Sequence, residues 1–422
     1  MDRPGRLPLR WAWRGALAVF VLAGATGAFF RFAVAHGMAF GLDLGNVRHA
    51  HSHLMYFGWA TPALFALIAR RLPELGGRPV SRVRAVLVAA FGLALLAFPP
   101  FLLYGYTSVA VGAARLPLGA MAAGLNVLAW YAFAGAYVRA RRGAPPTLAL
   151  RLFDVALGFL VLATLGAWGL PALQIAGIES AAVKSASLHL FLDAFSEGWF
   201  VFGVLGLVAA ETTAEKGRLA AWGAGLAAAG VPFTFALGMP AALVPSGLAV
   251  VARTGGALVG GGLLLVVASL SVESWRLQKR GTRKRGPKPS GLWRLALGLL
   301  AAKALGQLAV SAAPGLGWGS VPAFRILYLH LMLLGFVTLG LVAAARAVWG
   351  IGATRGHRLF ATAVALLLVS LLATTPLWPA AWGGRWVADA VAWCALGPVL
   401  AAAWMVARPG VLRWNGRGAG PR

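Results

Sequence analysis

Apolar runs of about twenty residues, separated by short clusters of Pro, Gly and Arg, recur from one end of the chain to the other. A hydrocarbon core of about 30 Å is crossed by about 20 residues of helix. Windows of that size fall at 12–34, 49–69, 84–106, 115–138, 151–176, 182–209, 219–240, 246–271, 291–312, 324–348, 358–380 and 386–407. The pattern predicts an all-α polytopic membrane protein with about 12 transmembrane helices, a single membrane domain over residues 1–422. One rival reading concerns the first run: Arg10 and Arg14, an apolar stretch and "AVA" at 33–35 resemble a cleavable signal peptide. Arg31 beside the supposed cleavage site argues against removal, and the run is kept as a span.

Composition agrees with the pattern. Hydrophobic residues make up 60% and charged residues 12% of the chain, a balance that no soluble domain of this length tolerates on its surface. A net charge of +27 would suggest nucleic acid in a soluble protein; here it has to be assigned loop by loop. The tail with Arg3, Arg6, Arg10 and Arg14, then "RRLPELGGRPVSRVR", "RARRG", "ETTAEKGR", "RLQKRGTRKRGPKPSGLWR", "RAVWGIGATRGHR" and the C-terminal tail all fall on one side. Cytoplasmic loops collect Lys and Arg, so that side is expected to be the cytoplasm of a bacterial-type inner membrane, with both termini in it. No nucleic-acid partner is expected. The opposite side carries few cations, among them Arg31, Arg48, Arg115, Lys184, Arg325 and Arg385. Cys394 is the only cysteine, which excludes a disulfide framework, a cysteine-rich metal cluster and C-x-x-C-H haem attachment. Histidine is left as the main non-covalent ligand.

The seven histidines are unevenly spread. Three even-numbered runs read "RHAHSHLMYFGWAT" from Arg48, "KSASLHLFLDAFSE" from Lys184 and "RILYLHLMLLGFVT" from Arg325. Each has a cation, four residues, then His53, His189 or His330 followed by Leu. The first and third share His-Leu-Met-x-x-Gly. Spacings of 136 and 141 residues suggest three pseudo-repeats of four helices, about 1–145, 146–285 and 286–422, with a basic cytoplasmic loop at 273–290.

At about 1.5 Å per residue, each of these histidines lies about 7–8 Å deeper than its cation. Ionisable groups within the membrane face the bundle interior and mark function. Neutral imidazoles at one level on different helices suit axial ligation of haem, and Arg48 and Arg325 would then meet the propionates. His51 and His53 are two residues apart and point about 200° from each other, so they address different partners. His49 is expected at the interface, and His36 and His357 in solvated loops. His189, Asp193 and Glu197 step by four along one face, as either metal ligands or a proton relay. Lys303, Gln307 and Ser311 form a second polar stripe, and "GGALVGGG" at 255–262 reads as close helix packing.

These segments carry a family resemblance. "HSHLMYFG" resembles the paired-histidine helix of haem–copper oxidases, nitric oxide reductases in particular, and the "HAHEMLFGF" segment of the NnrS family. "HLFLDAFSEGW" from His189 is similar to the nitric oxide reductase helix whose His and acids surround a non-haem iron. The resemblance implies one or two b-type haems on His51, His53 and His330, with copper or non-haem iron on His189 and Asp193. Twelve helices in three arcs of four also fit that group. Two features depart from it: the seventh helix, "LAAWGAGLAAAGVPFTFALGMP", has no His-His pair, and the double histidine lies in the second helix instead of the tenth. The expectation is a membrane haem protein in electron transfer or the handling of NO or O2, with a redox protein or quinol as donor. Two alternatives stay open, a proton-coupled transporter and an intramembrane zinc hydrolase.

Overall fold

The computed structural model describes residues 9–211, 217–279, 291–313 and 321–407. It contains twelve helices long and apolar enough to cross a membrane: α1 (Arg10–His36), α2 (Leu44–Leu75), α3 (Val83–Tyr104), α4 (Leu118–Arg141), α5 (Leu148–Ile175), α6 (Ala181–Glu211), α7 (Arg218–Gly238), α8 (Ser246–Glu273), α9 (Gly291–Ala312), α10 (Pro322–Trp349), α11 (Gly352–Leu372) and α12 (Arg385–Ala407). The expected all-α polytopic architecture is the one observed. Such helices satisfy their backbone groups internally, the condition for crossing lipid. Both chain tails, 1–8 and 408–422, and the 280–290 part of the basic loop lie outside the described residues.

Local chemistry moves two boundaries. Asp43 accepts the Asn46 N–H at 2.8 Å and caps α2, so that helix starts at Leu44, and His49, His51 and His53 are all helical. Between α3 and α4 the chain forms a hairpin of β1 (Val109–Val111) and β2 (Ala114–Leu116), with Val109 opposite Leu116. Arg115 lies in this hairpin, and α4 begins only at Leu118.

The spans run up and down. Arg10 at the start of α1 donates to the Trp349 carbonyl at 2.7 Å, and Trp13 to that of Ala353 at 3.0 Å. At the other end of α1, His36 lies 3.7 Å from Asp389 of α12. All even-numbered spans therefore start at one end, the histidine end; Arg70, Arg71, Arg141, Arg151 and Arg346 gather at the other, the arginine end. His36 and His357 are not the loop residues expected. One closes α1, and the other opens a helical stretch with Arg346 2.9 Å from its Nδ1. The glycine-rich run does pack closely: a Cβ on Gly262 would come 2.5 Å from the Gly223 carbonyl, which holds α7 against α8.

Spans α2, α6 and α10 each contain a stretch of wider, i→i+5 helix, at Leu54–Ala60, Ala194–Val201 and Leu331–Thr338. Each stretch has a local cause. Pro62 has no N–H to return to the turn before it, and the Ser196 and Thr338 hydroxyls bond back to the Leu192 and Leu333 carbonyls. The fifth and sixth residues are Gly58–Trp59, Gly198–Trp199 and Gly335–Phe336. Each glycine admits a side chain of the span before it: Val19, Phe159 and Leu299. The indoles of Trp59 and Trp199 donate to Thr338 and Thr61 at 3.2 and 3.4 Å, joining α2 to α10 and α6 to α2.

Counted from these stretches, the register differs from the one drawn on the sequence. The residues immediately before the wide turns are His53, Asp193 and His330. His189 lies one turn earlier, level with His49.

Packing is uneven along the same three spans. Toward the arginine end, Thr61–Ala69, Phe202–Ala209 and Leu339–Ala345 are wholly buried against one another. Toward the histidine end only Val47 and Ala50 are buried in Leu44–His53, Leu327 alone in Pro322–His330, and no residue in Ala181–Asp193. Yet α2 and α6 are the most enclosed spans, with 78% and 83% of their most apolar windows buried. Spans α2, α6 and α10 thus form a tight core at the arginine end and are only partly buried in their histidine halves.

Candidate functional site

The histidine half of the bundle holds the polar side chains singled out in the sequence, in three groups. In the first, His51 faces α1. Its ring lies 2.7 Å by Nδ1 from the Ala23 carbonyl, and it presses on Gly27, where a Cβ would come 2.6 Å from Cε1. A carbonyl oxygen only accepts, so Nδ1 carries the proton and Nε2 keeps its lone pair. His330 repeats the arrangement, with Nδ1 2.7 Å from the Ile326 carbonyl. The two imidazoles lie within electrostatic reach of each other, and Arg31 of α1 acts on both. Neither cation expected at this place joins them: Arg48 is exposed, and the Arg325 guanidinium donates to the Gly238 carbonyl at the end of α7.

His53 points the other way, as its two-residue offset from His51 predicts. Its ring stacks on Phe101 of α3 at 3.8 Å and 16°, and Nε2 lies 2.9 Å from the Tyr106 hydroxyl. Nδ1 is buried without a partner among the described residues.

The third group lies between α6, α7, α9 and α10. Glu197, on the wide stretch of α6, accepts from Lys303 at 2.8 Å, from Gln307 at 3.2 Å and from the Tyr328 hydroxyl. Lys303 also donates to Gln307 at 2.6 Å and lies 5.1 Å from the centre of the Tyr328 ring. Lys303 and Glu197 are 0% and 4% exposed, so the pair is removed from solvent and satisfied by protein. One turn nearer the histidine end, Asp193 accepts from Thr234 at 2.9 Å. His189 turns away from both acids, bonding to the Ser185 carbonyl at 2.8 Å and resting on Gly238.

The structure therefore brings together Glu197 with Lys303, Gln307 and Tyr328, and separately sets His51 and His330 within electrostatic reach of one another. It does not bring His189, Asp193 and Glu197 onto one point. Among the described residues no three His, Cys, Asp or Glu side chains converge to hold a metal ion. His189 and Asp193 are turned to separate partners, the Ser185 carbonyl and the Thr234 hydroxyl. Sequence reading missed Arg31 as a site residue, as well as Tyr106 and Thr234. Arg31 was visible as a cation inside an apolar run; Tyr106 and Thr234 gave no signal, because only the packing of α3 and α7 brings them in.

Compared with known protein families the chain matches none, and no curated protein matches it.

Proposed function

We propose that the protein is a membrane-embedded haem protein in which His51 and His330 hold one b-type haem between α2 and α10. The carrying observation is that two imidazoles on the partly buried histidine halves of α2 and α10 lie within electrostatic reach of one another, each with Nδ1 tied to a backbone carbonyl and Nε2 without a hydrogen bond among the described residues. The residues suit the group. Each Nδ1 is tied to a backbone carbonyl, which fixes the ring and makes Nε2 the better ligand, and Arg31 supplies positive charge for an anionic edge. When bound, such a haem supplies one-electron or diatomic-gas chemistry. The chain's own part is to fix both rings, to exclude lipid with the close Gly27 contact and to balance charge through Arg31. The reading of electron transfer or NO and O2 handling, with a redox protein or quinol as donor, rests on this site and on the family resemblance.

The arginine end is placed in the cytoplasm by the positive-inside rule. The matching wide stretches, their Gly-aromatic pairs and the two Trp-to-Thr bonds support three units of four spans each.

A second reading, proton-coupled transport, is favoured by the buried Glu197–Lys303 pair, since intramembrane ionisable groups mark ion pathways. Haem content of the purified protein separates the two. Haem bound in a fixed ratio to the chain is expected; haem-free protein from haem-supplied cells contradicts the first reading and leaves the second.

A further inference from the structure

His49 and His53 lie one turn apart on one face of α2, opposite the face that carries His51. The Tyr106 ring sits against both, its centre 5.0 Å from that of His49 and 6.0 Å from that of His53. His53 is held more tightly than core packing requires. Phe101 stacks on it at 3.8 Å, Phe57 meets it edge-on at 4.9 Å, and the Tyr106 hydroxyl lies 2.9 Å from Nε2. The remaining nitrogen, His53 Nδ1, is buried and has no protein partner among the described residues. Most buried polar atoms in folded proteins are paired; His53 Nδ1 is one of seven buried side-chain atoms without a partner among the described residues, and the one that lies a helical turn from a second imidazole, which points to an electrophile.

We propose that His49 and His53 bind one borderline transition-metal dication, Zn(II) or Cu(II), with Tyr106 as the outer partner that orients His53. Side chains four apart on a helix have Cβ atoms about 5–6 Å from each other, a separation that two imidazoles close around one ion. Nitrogen donors select this class of metal over Mg(II) or Ca(II), which take oxygen. The nearest acid, Asp43, is already used to cap α2. A hydrogen bond from the non-ligating ring nitrogen to a fixed partner is the usual support of a metal-binding histidine, and Tyr106 supplies it. With two protein ligands, and His49 at the partly accessible rim, the ion keeps positions open to solvent or to a small ligand. The site does not depend on the haem reading.

The test is titration of the full chain, purified in detergent and stripped with chelator, with Zn(II) by calorimetry and with Cu(II) by electron paramagnetic resonance. One ion per chain is expected, and whichever metal binds at the lower concentration identifies the preferred occupant. Nitrogen hyperfine splitting is expected if Cu(II) binds. H49Q and H53Q should abolish binding, Y106F should weaken it by about 10–100-fold, and H357Q, at the arginine end beside Arg346, should leave it unchanged. Binding should weaken as pH falls, because protons compete for the imidazoles. H49Q changes a rim residue and keeps the fold, so full stoichiometry in H49Q overturns the proposal, as does wild-type protein that binds neither ion. A haem spectrum unchanged in H49Q, whatever that spectrum is, keeps this result separate from the His51–His330 assignment.

Discussion

A few side chains set the character of the histidine half, and their environments decide what replacing them does. Glu197 and Lys303 are removed from water and matched to one another. Deleting one partner strands the other's charge, at a cost of about 3–5 kcal/mol. Lys303→Met should therefore lower the unfolding temperature in detergent sharply, and adding Glu197→Gln should recover much of the loss. A double variant no more stable than the single would show that the pair is not coupled. Gly27 is a second sensitive position, because any Cβ there meets the His51 ring; Gly27→Val should shift or broaden a haem spectrum while the chain stays folded. At this scale the sequence was informative about residue types and silent about partners. The Lys303–Gln307–Ser311 stripe was visible from its four-residue step, and the opposite directions of His51 and His53 followed from helix geometry. That the stripe meets Glu197 and Tyr328 depends on how α6, α9 and α10 cross, which no local pattern contains.

The elements draw a register one turn away from the one drawn on the sequence. His189 and His53 match by identity and by a preceding cation, but the backbone aligns Asp193 with His53 and His330 through the wide stretches that follow them. A wide turn holds one residue more than an α-helical turn would, and single-turn insertions of this kind gather at functional sites. Nothing in hydropathy records that extra residue; only Pro62 and the hydroxyls of Ser196 and Thr338 hint at it. Removing one residue from Leu54–Ala60 should let the wide turn close to α-helix with both halves keeping their facing, so His51 stays against α1 and haem binding survives; loss of binding while the circular dichroism stays helical would mean that the wide turn itself orients the ring. The α7–α8 contact carries a simpler expectation. Gly262→Leu forces a side chain into the Gly223 backbone and should destabilise the protein by about 1–3 kcal/mol, measured as a lower midpoint of thermal unfolding.

Across the whole molecule, span number and order were legible because twenty-residue apolar windows are a strong signal. The arginine-rich loops alternated with the spans, and the structure returns the same twelve. The uneven packing of α2, α6 and α10 was not legible, since the residues of both halves are similarly apolar and differ only in what they face. Sidedness can be tested directly: a cysteine in the Val109–Leu116 hairpin and one beside Arg142 should label from opposite sides of intact cells. Labelling of both from one side would break the twelve-span arrangement. If the histidine end is a haem site, the visible and low-temperature magnetic resonance spectra of wild type, His51→Ala, His330→Ala and His53→Ala, taken side by side, should divide in one way. The wild type and His53→Ala should show a six-coordinate low-spin haem, and His51→Ala and His330→Ala should each lose it. A low-spin signal that survives in both of those variants, or a wild type without haem, would contradict the assignment.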